Sequence, residues 1–177
     1  MNRNDLPKLN FPPLEIPVEL SDGERSPAGS CQAMSLLQRH DRIFDPLRKK
    51  WVALTPEEWV RQHFVRWMCL YLGYPPSMMA NEYGLNLNGC RRRCDTVVFS
   101  RDLRPVVIVE YKAPHIDITQ KVFDQIYRYN LVCGARCLIV SNGLSHYCCL
   151  IDYSPPKCTF LAEVPDYRSV CTGKPQS

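Results

Sequence analysis

Asp95, Glu110 and Lys112 are the residues whose types and spacing point to chemistry. Glu110 and Lys112 stand two apart at the end of an apolar, β-forming run, Val106 to Val109. Alternate residues of a strand share a face, so the acid and the amine point the same way. Upstream, the turn "RDLR" separates "CDTVVFS" from "PVVIVEY". A hairpin symmetric about the Asp102–Leu103 bond pairs residues whose numbers sum to 205, which sets Asp95 opposite Glu110. Directly opposed side chains have Cβ atoms about 4.5–5.5 Å apart on one face of the sheet. Two carboxylates that close repel unless a cation lies between them or one takes up a proton. Oxygen ligands of this kind suit Mg²⁺ or Mn²⁺. Lys112 beside them can orient a water or take its proton. Phosphodiester cleavage asks for that set: a water in line with the leaving oxygen and positive charge on the developing anion. The competing reading is a Glu110–Lys112 ion pair at a strand end, with Asp95 merely opening another strand. A second acid in matching register on an apolar strand favours the first. On this reading the two acids have no charge partner beyond Lys112.

The elements that must position these groups are legible around them. Thr55 is a good helix N-cap, Pro56 suits the first helical position, and Glu58 completes a Thr-x-x-Glu capping box. The helix should run to about Leu72, where Gly73 and Pro75-Pro76 stop it. Glu57, Val60, Phe64, Trp67 and Tyr71 fall on one stripe, and Glu58, Arg61, Gln62, Val65 and Arg66 on a more polar side. Glu57 is thus expected to face inward and Glu58 outward. The segments "NEYGLNLNG", "CDTVVFS" and "PVVIVEY" read as strands. "DITQKVFDQIYRYNLVCG" reads as a helix with Val122, Ile126, Tyr129 and Cys133 on one stripe and Gly134 as terminator. "CLIVSNG" and "SHYCCLIDY" follow as a pair turned at Asn142-Gly143. The order α-β-β-β-α-β-β predicts an α/β fold, a single mixed sheet flanked by helices.

The whole chain sets wider bounds. Its 177 residues, 45% apolar and 23% charged, suit one globular domain. Residues 43–167 carry the patterned elements. Residues 1–42 read as a Pro- and Ser-rich extended arm, with at most an edge strand near Leu14–Leu20 and then a loop. "RIFDPLRKKWVAL" suggests a hairpin turned at Asp45-Pro46, and residues 168–177 a flexible tail. The net charge of +4 is compatible with a polyanionic partner but too small to argue for one. Ten cysteines occur without an apolar leader or an 18-residue apolar run, so they are expected to be reduced packing residues of a cytoplasmic, non-membrane protein. Cys90/Cys94 and Cys133/Cys137 are C-x3-C pairs, a spacing that does not match the usual zinc knuckle. His63, His115 and His146 have no metal-triad spacing, and no phosphate-cradling G-x-x-x-x-G-K-[ST] occurs.

Asp95 followed by Glu110-Tyr111-Lys112 resembles the Asp…(Asp/Glu)-x-Lys signature of the PD-(D/E)XK nuclease superfamily. More narrowly, "LTPEEWVRQHF", "LNG…RRRCDTVVFS", "VVIVEYKAP", "FDQIYRYN" and "LIVSNGLSHYCC" resemble the N-terminal nuclease domain of type I restriction enzyme R subunits. The resemblance covers about residues 43–167 and implies a restriction-endonuclease-like core. It implies that Asp95, Glu110 and the backbone carbonyl of Tyr111 bind Mg²⁺ or Mn²⁺, that Lys112 is the catalytic lysine, and that Glu57 completes the site from the first helix. Gln125 and Tyr129 match the Gln-x3-Tyr element of such nucleases. Cys94 stands where the superfamily name has Pro. Implied partners are double-stranded DNA and the helicase-like, specificity and methyltransferase components of a restriction system. Arg91, Arg92, Arg93, Arg101, Arg104, Lys121 and Arg128 surround the site in sequence and can position a duplex through its phosphates. Alternatives are a catalytically silent nucleic-acid-binding or assembly module of the same fold, and an RNA-directed nuclease.

Overall fold

Val106–Val109 and Leu138–Val140 are apolar without alternation, as strands covered on both faces must be. They form the centre of the main sheet. The computed structural model describes residues 6–20, 41–87 and 90–172, without the side chains at 85–87, 90–92, 125, 128, 129, 131 and 132. Helix α1 (Pro56–Tyr71) precedes three strands, β4 (Met79–Leu87), β5 (Cys90–Phe99) and β6 (Pro105–Tyr111). Helix α2 (Gln120–Cys133) then leads to β7 (Cys137–Ser141), β8 (His146–Tyr153) and β9 (Pro156–Leu161). The strand order is β4-β5-β6-β7-β8-β9. Only β6 and β7 pair in parallel, because α2 carries the chain back across the sheet between them. The sheet is thus mixed, with the expected run of elements plus β9.

Each helix covers one face. Val60, Phe64, Val65 and Met68 of α1 pack over Val98, Val107, Val109, Tyr111 and Ile139. Phe123 and Ile126 of α2 pack over Val97, Ile108, Leu138, Val140 and Cys149, with Cys94 in the same cluster. Gly134 ends α2 in the left-handed conformation, φ 65°, and Asn130 ties off that end by bonding both Ala135 N and Ala135 O.

The sheet is not single. A separate three-stranded antiparallel sheet joins β1 (Val18–Glu19), β2 (Arg42–Asp45) and β3 (Lys50–Ala53) in that order. Its own apolar cluster of Leu6, Ile16, Ile43, Leu54 and Trp59 explains why the proline-rich arm is held down. Two further elements depart from expectation. β9 begins at Pro156, a position that reads as a breaker but is tolerated at the first residue of an edge strand. Tyr167–Thr172 form a short helix, α3, where a tail was expected; Tyr167 N bonds Leu72 O, and Val170 is buried. Six residues are too few turns to show a helical period.

Candidate functional site

The β5–β6 pairing carries the two acids on adjoining strands. Thr96 pairs with Val109, Val97 with Ile108 and Val98 with Val107, each pair summing to 205. Continued by one residue, that register sets Asp95 across from Glu110. An irregularity lies at the turn end, between Val98 and Phe99, and the pairing runs as far as Thr96–Val109, one residue short of the two acids. Glu110 Oε1 accepts from Lys112 Nζ at 2.9 Å. Burial raises the proton affinity of Glu110, the Asp95 charge raises it further, and Lys112 and Arg61 oppose both. Burial disfavours the Lys112 ammonium, yet Glu110, then Asp95 and Glu57, outweigh it and raise its pKa. Asp95, Glu110, Lys112 and Glu57 therefore share one local field.

Asp95 is more fully engaged than its sequence context suggests. Its Oδ2 accepts from Tyr111 N at 2.9 Å, and its Oδ1 from Arg61 Nη2 at 2.8 Å. The expectation that the acids lack a partner beyond Lys112 is corrected by Arg61, which α1 delivers from above. The same guanidinium reaches Glu58 Oε2 at 2.7 Å and Glu82 Oε1 at 3.0 Å through Nη1. Glu58 Oε1 in turn accepts from Arg48 Nη2 and Gln62 Nε2.

The two neighbouring acids of α1 are placed the other way round. Glu58 is buried, 7% exposed, and Glu57 is exposed. The capping box is also half made: Thr55 Oγ1 accepts from Glu58 N, but the Glu58 carboxylate turns to the arginines. Polar residues read as an outer face because burying a charge is costly alone; Glu58 and Arg61 go inward because they neutralise one another, and Gln62 because it donates to Glu58. Tyr71, placed on the inner stripe by spacing, is exposed. Glu57 nonetheless acts on Lys112 from the first turn of α1.

Gln125, Arg128 and Tyr129 lie on α2 and Arg91 and Arg92 on β5, but their side chains are outside the described set. Arg93 is exposed and pairs with Glu82 at 2.6 Å; Arg101, Arg104 and Lys121 are exposed. Arg61, Glu82 and Arg48 were missed as members of the site. The i, i+3 spacing of Glu58 and Arg61 hinted at one pair, but nothing in the sequence links Arg61 to Asp95.

No group of three or more His, Cys, Asp or Glu suited to a metal occurs among the described residues. Mg²⁺ does not need one: it is commonly held by one or two carboxylates, with waters and substrate phosphates filling the octahedron. Asp95 and Glu110 supply two hard carboxylates, and the Asp95 charge that raises the proton affinity of Glu110 is what a divalent ion relieves. The donor set fits, provided Lys112 leaves Glu110.

A mixed α/β sheet flanked by helices, with an aspartate and a Glu-x-Lys at adjoining strand ends, is thus the framework. The family model for the type I restriction enzyme R protein N terminus matches residues 56–165, and the chain belongs to that family. Among solved structures it is similar to a fragment described as an HsdR subunit of a type I restriction enzyme from Vibrio vulnificus YJ016, with 18% identity and a TM-score of 0.50. That likeness concerns the fold; it covers 68% of this chain and 25% of the other, so the chain spans about a quarter of the protein it matches. No curated protein matches. No helix among the described residues is long and apolar enough to cross a membrane.

Proposed function

We propose that the chain is the Mg²⁺-dependent (or Mn²⁺-dependent) endonuclease domain of a type I restriction R subunit, with a restriction-endonuclease-like core, hydrolysing phosphodiester bonds of double-stranded DNA. The observation that carries this is geometric: on the adjoining strands β5 and β6, Asp95 Oδ2 accepts from Tyr111 N at 2.9 Å, and the neighbouring Glu110 accepts from Lys112 Nζ at 2.9 Å. Asp95 and Glu110 are the residues that would hold the ion, together with the Tyr111 carbonyl implied by the family pattern. The ion would supply Lewis-acid stabilisation of the developing charge and a more acidic water. Lys112 is a cation on a flexible stem, paired with Glu110. Released from Glu110, its ammonium can donate to a phosphate oxygen or orient the attacking water. Glu57 sits exposed within electrostatic reach of Lys112 and can draw it toward that position. Arg91, Arg92, Arg93, Arg101, Lys121 and Arg128 are proposed phosphate contacts, and the helicase-like, specificity and methyltransferase components are proposed partners in the assembled enzyme.

Plasmid cleavage by the chain, and by the chain joined to its restriction partners, tests the proposal. Nicking or linearisation is expected with Mg²⁺ or Mn²⁺ and not with EDTA or with Lys112→Ala. Metal-independent cleavage, or full cleavage by Lys112→Ala, would exclude this chemistry. A Lys112-dependent preference for RNA would move the substrate class while leaving the site intact.

A further inference from the structure

We infer that Arg61 is a positioning residue for Asp95, setting the direction in which that carboxylate is presented; this rests on the metal-site reading above. Three observations converge on it. The guanidinium divides its two ends, with Nη2 on Asp95 Oδ1 at 2.8 Å and Nη1 on Glu58 and Glu82 at 2.7 and 3.0 Å. A fork anchored at one end and bonded at the other fixes a planar direction, which an ammonium on a flexible stem does not. Its surroundings are closed: Arg61 is 5% exposed and lies 5.6 Å from the ring centroid of Tyr111, whose own N–H holds Asp95 Oδ2. Asp95 is therefore held from both sides, one of them by the strand that carries Glu110.

Glu82 supplies the third observation. It sits in β4 between the Asn81–Thr96 and Tyr83–Cys94 pairs, and its φ is +59°. A non-glycine residue in the left-handed region inside a strand is held there by its surroundings, and such strain gathers at functional sites. The distortion places the Glu82 carboxylate between Arg61 and Arg93. Outer partners that orient a metal ligand matter nearly as much as the ligand, and their loss commonly weakens metal binding 10- to 100-fold.

Mn²⁺ titration calorimetry on wild type, Arg61→Lys and Arg61→Met tests the inference, with thermal unfolding in EDTA as the measure of fold. Orientation predicts that folded Arg61→Lys, which keeps the charge but loses the fork, binds Mn²⁺ at least about tenfold more weakly. Arg61→Met separates orientation from charge by sign. Removing a nearby cation alone would tighten Mn²⁺ binding, whereas a misdirected Asp95 weakens it. Unchanged affinity in Arg61→Lys, or tighter binding in Arg61→Met, would overturn the inference while leaving the metal site standing. No Mn²⁺ binding by wild type would instead overturn the metal reading and this inference with it. If neither variant folds, the wild-type chain decides by guanidinium NMR of labelled arginine. Slowly exchanging Nη protons of Arg61 should persist on Mg²⁺ addition; their loss means that the ion displaces Arg61 and refutes a positioning role.

Discussion

Glu58→Ala separates the structure's account of α1 from a simple capping account. As the third residue of a capping box, the Glu58 side chain would contribute about as much as other cap groups, roughly 0.5–2 kcal/mol. The structure assigns it a different task. The cap bond uses Glu58 N and Thr55 Oγ1, and alanine keeps it. What alanine removes is a carboxylate that pairs with Arg61 at 2.7 Å and with Arg48 at 2.8 Å and accepts from Gln62 at 2.7 Å. Breaking one partner of a buried pair costs about 3–5 kcal/mol. Arg61 retains Asp95 and Glu82, which argues for the lower half of that range. Arg48 is partly exposed and keeps Asp45, so it adds under about 1 kcal/mol. The fully buried Gln62 amide loses an acceptor, worth about 1–3 kcal/mol. The three losses stem from one carboxylate and overlap rather than add, so the net cost is about 3–5 kcal/mol, less a few tenths gained from alanine's helix propensity. Thr55→Ala, which removes only the cap acceptor, should cost about 1 kcal/mol. Urea unfolding followed by circular dichroism, in EDTA so that bound ions do not contribute, measures both. With a slope of about 2 kcal/mol/M, Glu58→Ala should shift the midpoint by about 1.5–2.5 M. If the two substitutions differ by less than about 1 kcal/mol, the buried Glu58 network does not carry the load argued for it.

Asp95→Asn should destabilise the metal-free fold by about 1–3 kcal/mol, because it weakens charge-assisted bonds from Arg61 and Tyr111 N; a stabilised variant in EDTA would show that repulsion from Glu110 dominates instead. Glu57→Gln should leave the unfolding midpoint unchanged, since Glu57 is exposed, and reduce metal-dependent cleavage through Lys112; an unaltered cleavage rate counts against its place in the site. Burial lowers the His63 pKa to about 4, opposed by its bond to Trp59 O and aided by Arg66. The unfolded chain then binds the proton first, so stability present above pH about 6.5 should fall as pH drops toward 4, by at most about 3 kcal/mol. His63→Gln should flatten that part of the pH–stability profile, and a profile identical to wild type would assign the loss elsewhere.

The strand pair that carries the acids was legible because hairpin register and strand period are strict. Once "RDLR" is taken as the turn, Thr96–Val109 pairing follows from counting, and the irregularity at Val98/Phe99 falls at the turn end. Helix α1 was legible in extent, Thr55 to Leu72, and in the centre of its inner stripe, Val60 and Phe64, but not in how far its buried face turns to take in Glu58, Arg61 and Gln62. Its turned face has a physical cause. Apolar periodicity ranks residues by the cost of burying them singly, and Glu58 and Arg61 are each costly alone. Together with Arg48, Glu82 and Asp95 their charges compensate one another, although Arg61 Nε is buried without a partner among the described residues, and that balance is invisible to any rule applied residue by residue. The same limit explains why Asp95 looked unpartnered. Its strand neighbours can be counted, but Arg61 arrives from 34 residues away by the packing of a helix over the sheet. Glu82 compounds the difficulty, since its left-handed backbone breaks the alternation that a strand pattern assumes. The chemistry-bearing residues themselves are thus readable from local rules. What decides how they are presented is a buried ion network, which the sequence specifies only through the finished fold.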